Sequence, residues 1–372
     1  MLIVTLITFL FWLLYVVLIG GYICRWNKTS DYIPEGKATG PCFSVIIPFR
    51  DEEARLGGIL HDLVLQDYPV EKFEVILVDD HSRDKSTEIA GEYCGRQGNF
   101  SLIPLSAGKS GKKNAIDTGI KDARHDYIIT TDADCRAGRQ WLSVMASFCN
   151  DFSPAMVIGL VRPESSGRSF PDFFQQLELI SLTGAGAASA LGGKPIFCSG
   201  ANLCYRKELY SGIHDPMQKA IASGDDTFLL LQMKQSFRKD IRVLKSRLSF
   251  VTTKSEANFA GFIQQRSRWI SKSTRYRDRE ILYSALVVFL ANMAMLTAMG
   301  LMMAGYHPWF FAVMIMIKLL TDGYFLFSLS DYAGFKFNLA VYAVSGIVYP
   351  FYLLLVTIRA FFAPISWKNR KL

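Results

Sequence analysis

The sequence predicts an α/β domain on a doubly wound, mostly parallel sheet, with one N-terminal and two to three C-terminal transmembrane helices. Three observations predict it. Half of the 372 residues are hydrophobic and the longest apolar runs lie at the two ends. In the middle, short β-branched runs alternate with helically spaced ones, the pattern of a parallel sheet. Several of those β-runs end in acids, where ligands of open α/β sheets gather.

Residues 2–24 form one uncharged apolar run, enough for a bilayer span of roughly 20 residues. It lacks a basic start and a small-residue cleavage site, so 1–24 is expected to be a retained anchor. Three more apolar stretches lie near 281–305, 308–329 and 339–363, giving a membrane region over 281–372. Between them, 40–265 has ample length for one domain. The net charge of +8 is uneven: Arg266, Arg268, Lys272, Arg275, Arg277 and Arg279 crowd a basic interfacial segment at 266–280. Such a cluster beside a span attracts anionic headgroups and marks the cytoplasmic side. With Arg25 and Lys28 after the first span, it points to an integral membrane protein, in a bacterial inner membrane, with a cytoplasmic domain. Membrane adjacency explains these charges better than nucleic acid does. Seven cysteines without a C-x-x-C pair fit a reducing compartment, and no His pair has zinc-ligand spacing. Three full C-terminal spans would put Lys368, Arg370 and Lys371 outside, so one segment is expected to be re-entrant or interfacial. Lys318 with Asp322, or Pro350, marks the candidates; Lys318 and Asp322 can pair at four-residue spacing.

Within the domain, Phe43–Pro48 and Phe73–Asp80 read as buried strands, Glu53–Leu65 and Ser86–Cys94 as helices, and Phe100–Pro104 as a weaker strand. Lys113–Ala123 reads as a helix leading into the strand Tyr127–Thr131. The first strand runs into Arg50-Asp51-Glu52-Glu53, the second into Asp79-Asp80-His81, the fourth into Asp132-Ala133-Asp134. A lone D-x-D is a weak motif and a polar turn explains it equally well. Convergence at one edge changes that balance, because like charges repel unless a cation or a ligand compensates them. Hard oxygen ligands suit Mg²⁺ or Mn²⁺ shared with substrate phosphates. Gly108–Asn114 (GKSGKKN) resembles a phosphate loop without being a Walker A motif, and a solvated basic turn is its rival. A dinucleotide-binding fold is excluded, since no G-x-G-x-x-G follows the first strand. Downstream, Ser223-Gly224-Asp225-Asp226 precedes a helical run, where Asp226 could also be a simple cap.

The ordered series Asp79/Asp80, Asp132-x-Asp134, Gly224-Asp225-Asp226 and Gln265-x-x-Arg268-Trp269 resembles the membrane-embedded family-2 glycosyltransferases of GT-A fold. The likeness covers roughly residues 43–280; Val45–Pro48, Trp141-Leu142 and Ser199–Asn202 add to it. It implies a donor-binding set of Pro48, Glu52, Asp79, Asp80, Lys112, Asp132 and Arg268. Asp80 or Asp79 would meet the base, Glu52 the ribose or base, and Lys112 or Lys113 the phosphates. Asp132 and Asp134 would hold Mg²⁺ or Mn²⁺. Asp226 would be the general base, with the adjacent Asp225 where the family has glutamate. Gln265 and Trp269 would wall the acceptor side, with Arg268 on the diphosphate. The resemblance implies an inverting transfer of a sugar from a UDP- or GDP-sugar to a lipid or glycan acceptor at the membrane. Three C-terminal segments are few for a polymer channel, which favours a lipid acceptor. The apolar stretch Phe170–Leu191 reads as an acceptor-side helix or as an ordinary core helix. A processive polysaccharide synthase and a non-catalytic scaffold are the rivals.

Overall fold

The computed structural model describes residues 2–36, 40–164, 169–219, 224–362, 366–367 and 370–371. Met1, Ser223, Lys368 and Leu372 lie outside them. The chain forms two compact units: Thr29–Glu164 with Ser189–Lys254, and Met1–Lys28 with Ser165–Ala188 and Ser255–Leu372.

The chain opens with helix α1 (Leu2–Lys28) and enters the first unit through β1 (Phe43–Phe49), α2 (Leu56–Val64), β2 (Phe73–Asp79), α3 (Ser86–Arg96), β3 (Phe100–Pro104), α4 (Lys112–Asp122) and β4 (Tyr127–Thr130). There follow β5 (Arg136–Ala137), α5 (Trp141–Phe152), β6 (Met156–Gly159) and β7 (Val161–Pro163). After α6 (Phe170–Leu191) come β8 (Leu203–Arg206), α7 (Lys207–Ser211), α8 (Asp225–Phe237), β9 (Ile241–Leu244) and β10 (Val251–Thr253). Among the described residues, seven strands make one sheet in the order β3-β2-β1-β4-β8-β6-β9. Only β8 runs antiparallel to its neighbours, so the expected mostly parallel sheet is present.

Every residue of β1 and β2 is buried, as strands covered on both faces require. On one face Val45 and Ile47 pack in a core with Leu56, Ile59, Leu60 and Leu63 of α2 and Trp141, Leu142 and Met145 of α5. On the other, α4 approaches so closely that a Cβ on Gly119 would stand 2.7 Å from Ile46 Cγ2. A polar hub fixes the far half: Trp141 Nε1 donates to Asn202 Oδ1 at 3.0 Å, and Asn202 Nδ2 donates to the carbonyls of Leu160 and Ser249 at 2.9 Å.

The second unit adds α9 (Phe259–Ser271), α10 (Arg279–Met303), α11 (Pro308–Tyr332) and α12 (Leu339–Phe362). Among the described residues, α1, α10, α11 and α12 are long and apolar enough to cross a membrane. Each C-terminal stretch is one continuous helix, and α12 runs through Pro350. One polar cluster inside this unit is matched. Tyr15 donates to Asp322 at 2.7 Å, and Lys318, 3 % exposed, reaches the other Asp322 oxygen at 2.8 Å. The four-residue pairing expected of these two residues is present.

Candidate active site

The strand order places β2, β1 and β4 side by side, with Phe49 level with Asp79 and Ile46 level with Thr130. Their C-terminal ends therefore open onto one edge. Pro48 lies buried within β1 opposite Val78, so it shapes the strand end from inside. The two adjacent aspartates differ. Asp79 accepts from the Ser82 N–H with one oxygen and from Thr87 Oγ1 with the other, both at 2.9 Å, and so braces the start of α3. Asp80 faces the glycine loop, accepting from the Gly111 N–H at 3.0 Å, with Arg50 Nη1 4.0 Å away. Burial raises the Asp80 pKa above the ordinary carboxylate value.

Glu52 is held by its backbone: its N–H donates to Ser86 Oγ at 2.7 Å and its carbonyl accepts from Arg55 and Leu56. Neighbouring acids stitch the same two loops, Asp51 accepting from the Arg83 N–H and Glu53 from the Lys85 N–H. The loop before α4 turns on Gly108 and Gly111, with φ of 85° and 93°, a region glycine enters at no steric cost. His81 bonds the Lys109 carbonyl across it at 2.9 Å.

The consecutive lysines at the start of α4 point in different directions. Lys113 turns inward, donating to the carbonyls of Met217 at 2.6 Å and Gln218 at 3.1 Å over the Phe228 ring. It holds the segment that leads towards α8. Lys112 reaches the acids, 2.5 Å from Asp132 Oδ1 and 3.5 Å from Asp225 Oδ2. Burial opposes its charge, yet Asp132 and Asp225 raise its pKa above the ordinary lysine range. Burial raises the pKa of Asp132 against the pull of Lys112, and burial with the nearby Glu52 charge raises that of Asp134. Arg55 stands 3.5 Å from Asp134.

Asp225 and Asp226 form the first turn of α8 after Gly224, so neither is the cap residue itself. Asp226 accepts from the Gly200 N–H at 3.1 Å and from the Thr227 N–H at 2.6 Å. Gly200 is the residue that sequence reading left without a role. A Cβ there would stand 3.2 Å from Asp225 Oδ2 and 3.4 Å from Lys112 Nζ. Its signal in sequence is its place in Ser199–Asn202, the short stretch before a strand that adds to the resemblance. Asp132, Asp134 and Cys135 offer ligand atoms within 4.8 Å of one another. Burial holds the Cys135 pKa well above its ordinary value. The usable donors are therefore two carboxylates, a set that fits Mg²⁺ or Mn²⁺.

Glu52, Asp80, Lys112, Asp132, Asp134, Asp225 and Asp226 thus gather along one edge of the α/β unit. Gln265, Arg268 and Trp269 sit half-buried on α9 in the other unit. There Asn258 caps the helix, accepting from the Gly261 N–H at 2.8 Å.

Residues 44–213 match the Glycosyl transferase family 2 model. This segment is thus similar to the family 2 glycosyltransferases. The chain is 25% identical over 220 residues to the probable glycosyltransferase YdaM of Bacillus subtilis, covering 57% of this chain and 49% of YdaM. It is 37% identical over 92 residues to the undecaprenyl-phosphate 4-deoxy-4-formamido-L-arabinose transferase of Aeromonas hydrophila, covering 24% of this chain and 28% of that one. The chain thus spans about half or less of these two relatives. Its structure resembles the mannosyltransferase PcManGT from Pyrobaculum calidifontis, solved with GDP-Man and Mn2+, with a TM-score of 0.60 over 97% of each chain at 18% identity. The chain is thus GT-A-like in fold.

Proposed function

We propose that this chain is an inverting glycosyltransferase that moves a sugar from a UDP- or GDP-sugar to a lipid acceptor at a membrane. The observation that carries the reading is the gathering of Asp132 with the Asp225-Asp226 pair, far from it in sequence, around the Lys112 ammonium and the Gly200 N–H. Charges so crowded are stable together only with compensation, and a donor diphosphate with its cation supplies more of it.

In this reading Asp80 accepts from the nucleobase, and Glu52 lies by the base or ribose. Asp132 and Asp134 hold Mg²⁺ or Mn²⁺, which when bound neutralises charge on the leaving diphosphate. Lys112 stays close enough to pair with the same oxygens. Asp226, oriented by Gly200 and Thr227, takes the proton of the acceptor hydroxyl as it attacks. Asp225 keeps Lys112 beside that base. One base and one displacement invert the anomeric centre. Arg268 contributes charge to the diphosphate, and Gln265 and Trp269 line the acceptor side.

Four helices of spanning length among the described residues support a membrane-delivered acceptor, as does similarity to a transferase named for undecaprenyl-phosphate. Arg25 and Lys28 at the end of α1, with Lys272, Arg275 and Arg277 before α10 and Arg279 at its start, support a cytoplasmic α/β unit by the positive-inside rule, in a bacterial inner membrane. The test is detergent-purified protein given UDP- and GDP-sugars, polyprenyl phosphate and Mn²⁺. Nucleoside diphosphate release and a one-sugar mass increment on the lipid are expected, both lost in Asp226→Asn. Full turnover by that variant would overturn the assignment, and a ladder of long products would make the chain a polymer synthase.

A further inference from the structure

Between Gln265 and Arg268 lies a residue that sequence reading assigned only to the basic interfacial cluster. Arg266 is 6 % exposed, far more buried than an interfacial cation should be. Its Nε and Nη2 donate to Glu178 Oε2 at 2.8 and 2.6 Å, and its Nη1 donates to Gln265 Oε1. The guanidinium lies 4.8 Å from the Phe262 ring centroid and 4.2 Å from that of Trp269. Those rings sit four residues before and three after it, the spacings that share one helix face.

The Gln265 amide is held from both ends. Its Nε2 donates to Glu256 Oε1 at 2.5 Å, while its oxygen faces the guanidinium. Glu256 is tied in turn: its N–H donates to Gln175 Oε1 at 3.0 Å and its carbonyl accepts from Gln175 Nε2 at 3.3 Å. A flipped amide would set its NH₂ against the cation and its oxygen against a carboxylate, so only one orientation survives. Glu178 also accepts from Tyr352 of α12 at 3.4 Å. The guanidinium thus carries three tasks at once: pairing with α6, orienting Gln265 and seating the Trp269 ring. Only a planar fork of donors with two stacking faces can perform all three.

We propose that Arg266 is a positioning residue that sets Gln265 and Trp269 for sugar transfer through its pair with Glu178. This rests on the transferase reading above. A lysine at this position keeps the charge but loses the fork and both stacked faces. Arg266→Lys is therefore expected to lower kcat by about tenfold to a hundredfold, as misplacing a reacting partner by an ångström does, with donor KM within about threefold of the parent. Glu256→Gln leaves the Arg266–Glu178 pair intact but replaces a carboxylate that only accepts by an amide that can present either end, so the Gln265 amide is held less firmly and kcat should fall in the same sense with an unchanged melting temperature. A purely structural ion pair would leave that second variant at parental kcat. Should Arg266→Lys fail to fold, Glu256→Gln and Glu178→Gln decide the question. Asp226→Asn runs alongside. If it stays active, the transferase assignment falls; if it is dead while Glu256→Gln and Glu178→Gln match the parent, the positioning role alone falls.

Discussion

Gly200 shows how much one missing methyl can matter. The atoms a Cβ would meet there are the ends of flexible side chains, Asp225 Oδ2 and Lys112 Nζ, rather than backbone. Gly200→Ala should therefore leave the melting temperature nearly unchanged yet lower kcat by about tenfold, because the displaced groups are the charged ones beside Asp226, the proposed base. Steady-state assays beside thermal unfolding would check this. Asp134 carries a stability cost of the opposite kind. A carboxyl whose pKa is raised by burial keeps its proton when folded at a pH where the unfolded chain has lost it. Stability then falls as pH climbs from the ordinary Asp value of about 3.9 through the raised one. Asp134→Asn should thus melt higher than the parent at pH 7 without metal, the gap closing towards pH 4. Adding Mn²⁺ and donor should reverse the order. The division of labour at residues 112 and 113 was not legible in sequence. Two neighbouring lysines at a helix start look equivalent until the turn of the helix sends one to Asp132 and the other under Phe228.

At the scale of elements, the first half of the sheet could be read directly because β1, β2 and β4 are apolar, β-branched and bounded by helices. The second half could not. β6, β8 and β9 are four residues each, too short to show a period, and β8 reverses direction. The acids at the ends of β1, β2 and β4 were legible as a converging set, since parallel order alone puts them together. The role of Arg266 was not, because Glu178 lies 88 residues away. Asn202 is the tie between these two halves, bridging α5 to the segments at Leu160 and Ser249. Asn202→Ala would strand the Trp141 N–H and two carbonyls, and should cost about 3 kcal/mol by chemical denaturation. A loss below about 1 kcal/mol would show that water replaces it there.

At the scale of the whole molecule, the described residues of the four helices long enough to cross a membrane include one buried ion pair, Lys318–Asp322. Breaking such a pair from one side typically costs about 3–5 kcal/mol, whereas replacing both partners by apolar groups is often tolerated. Lys318→Met should lower the melting temperature in detergent more than the Lys318→Met/Asp322→Leu double variant does. An additive double variant would argue against a coupled pair. The same pair bears on biosynthesis. Tyr15 and Asp322 are 307 residues apart, which at ribosomal rates of about 5–20 residues per second means a wait of about 15–60 seconds. In a membrane-inserted chain α1 must therefore persist in lipid long before its partners are made. It is the most apolar of the four helices, with a hydropathy of 2.8 against 1.8 for α11. Helix α11, arriving late, brings Lys318 and Asp322 already able to neutralise each other within one turn, so it can enter lipid without waiting for Tyr15.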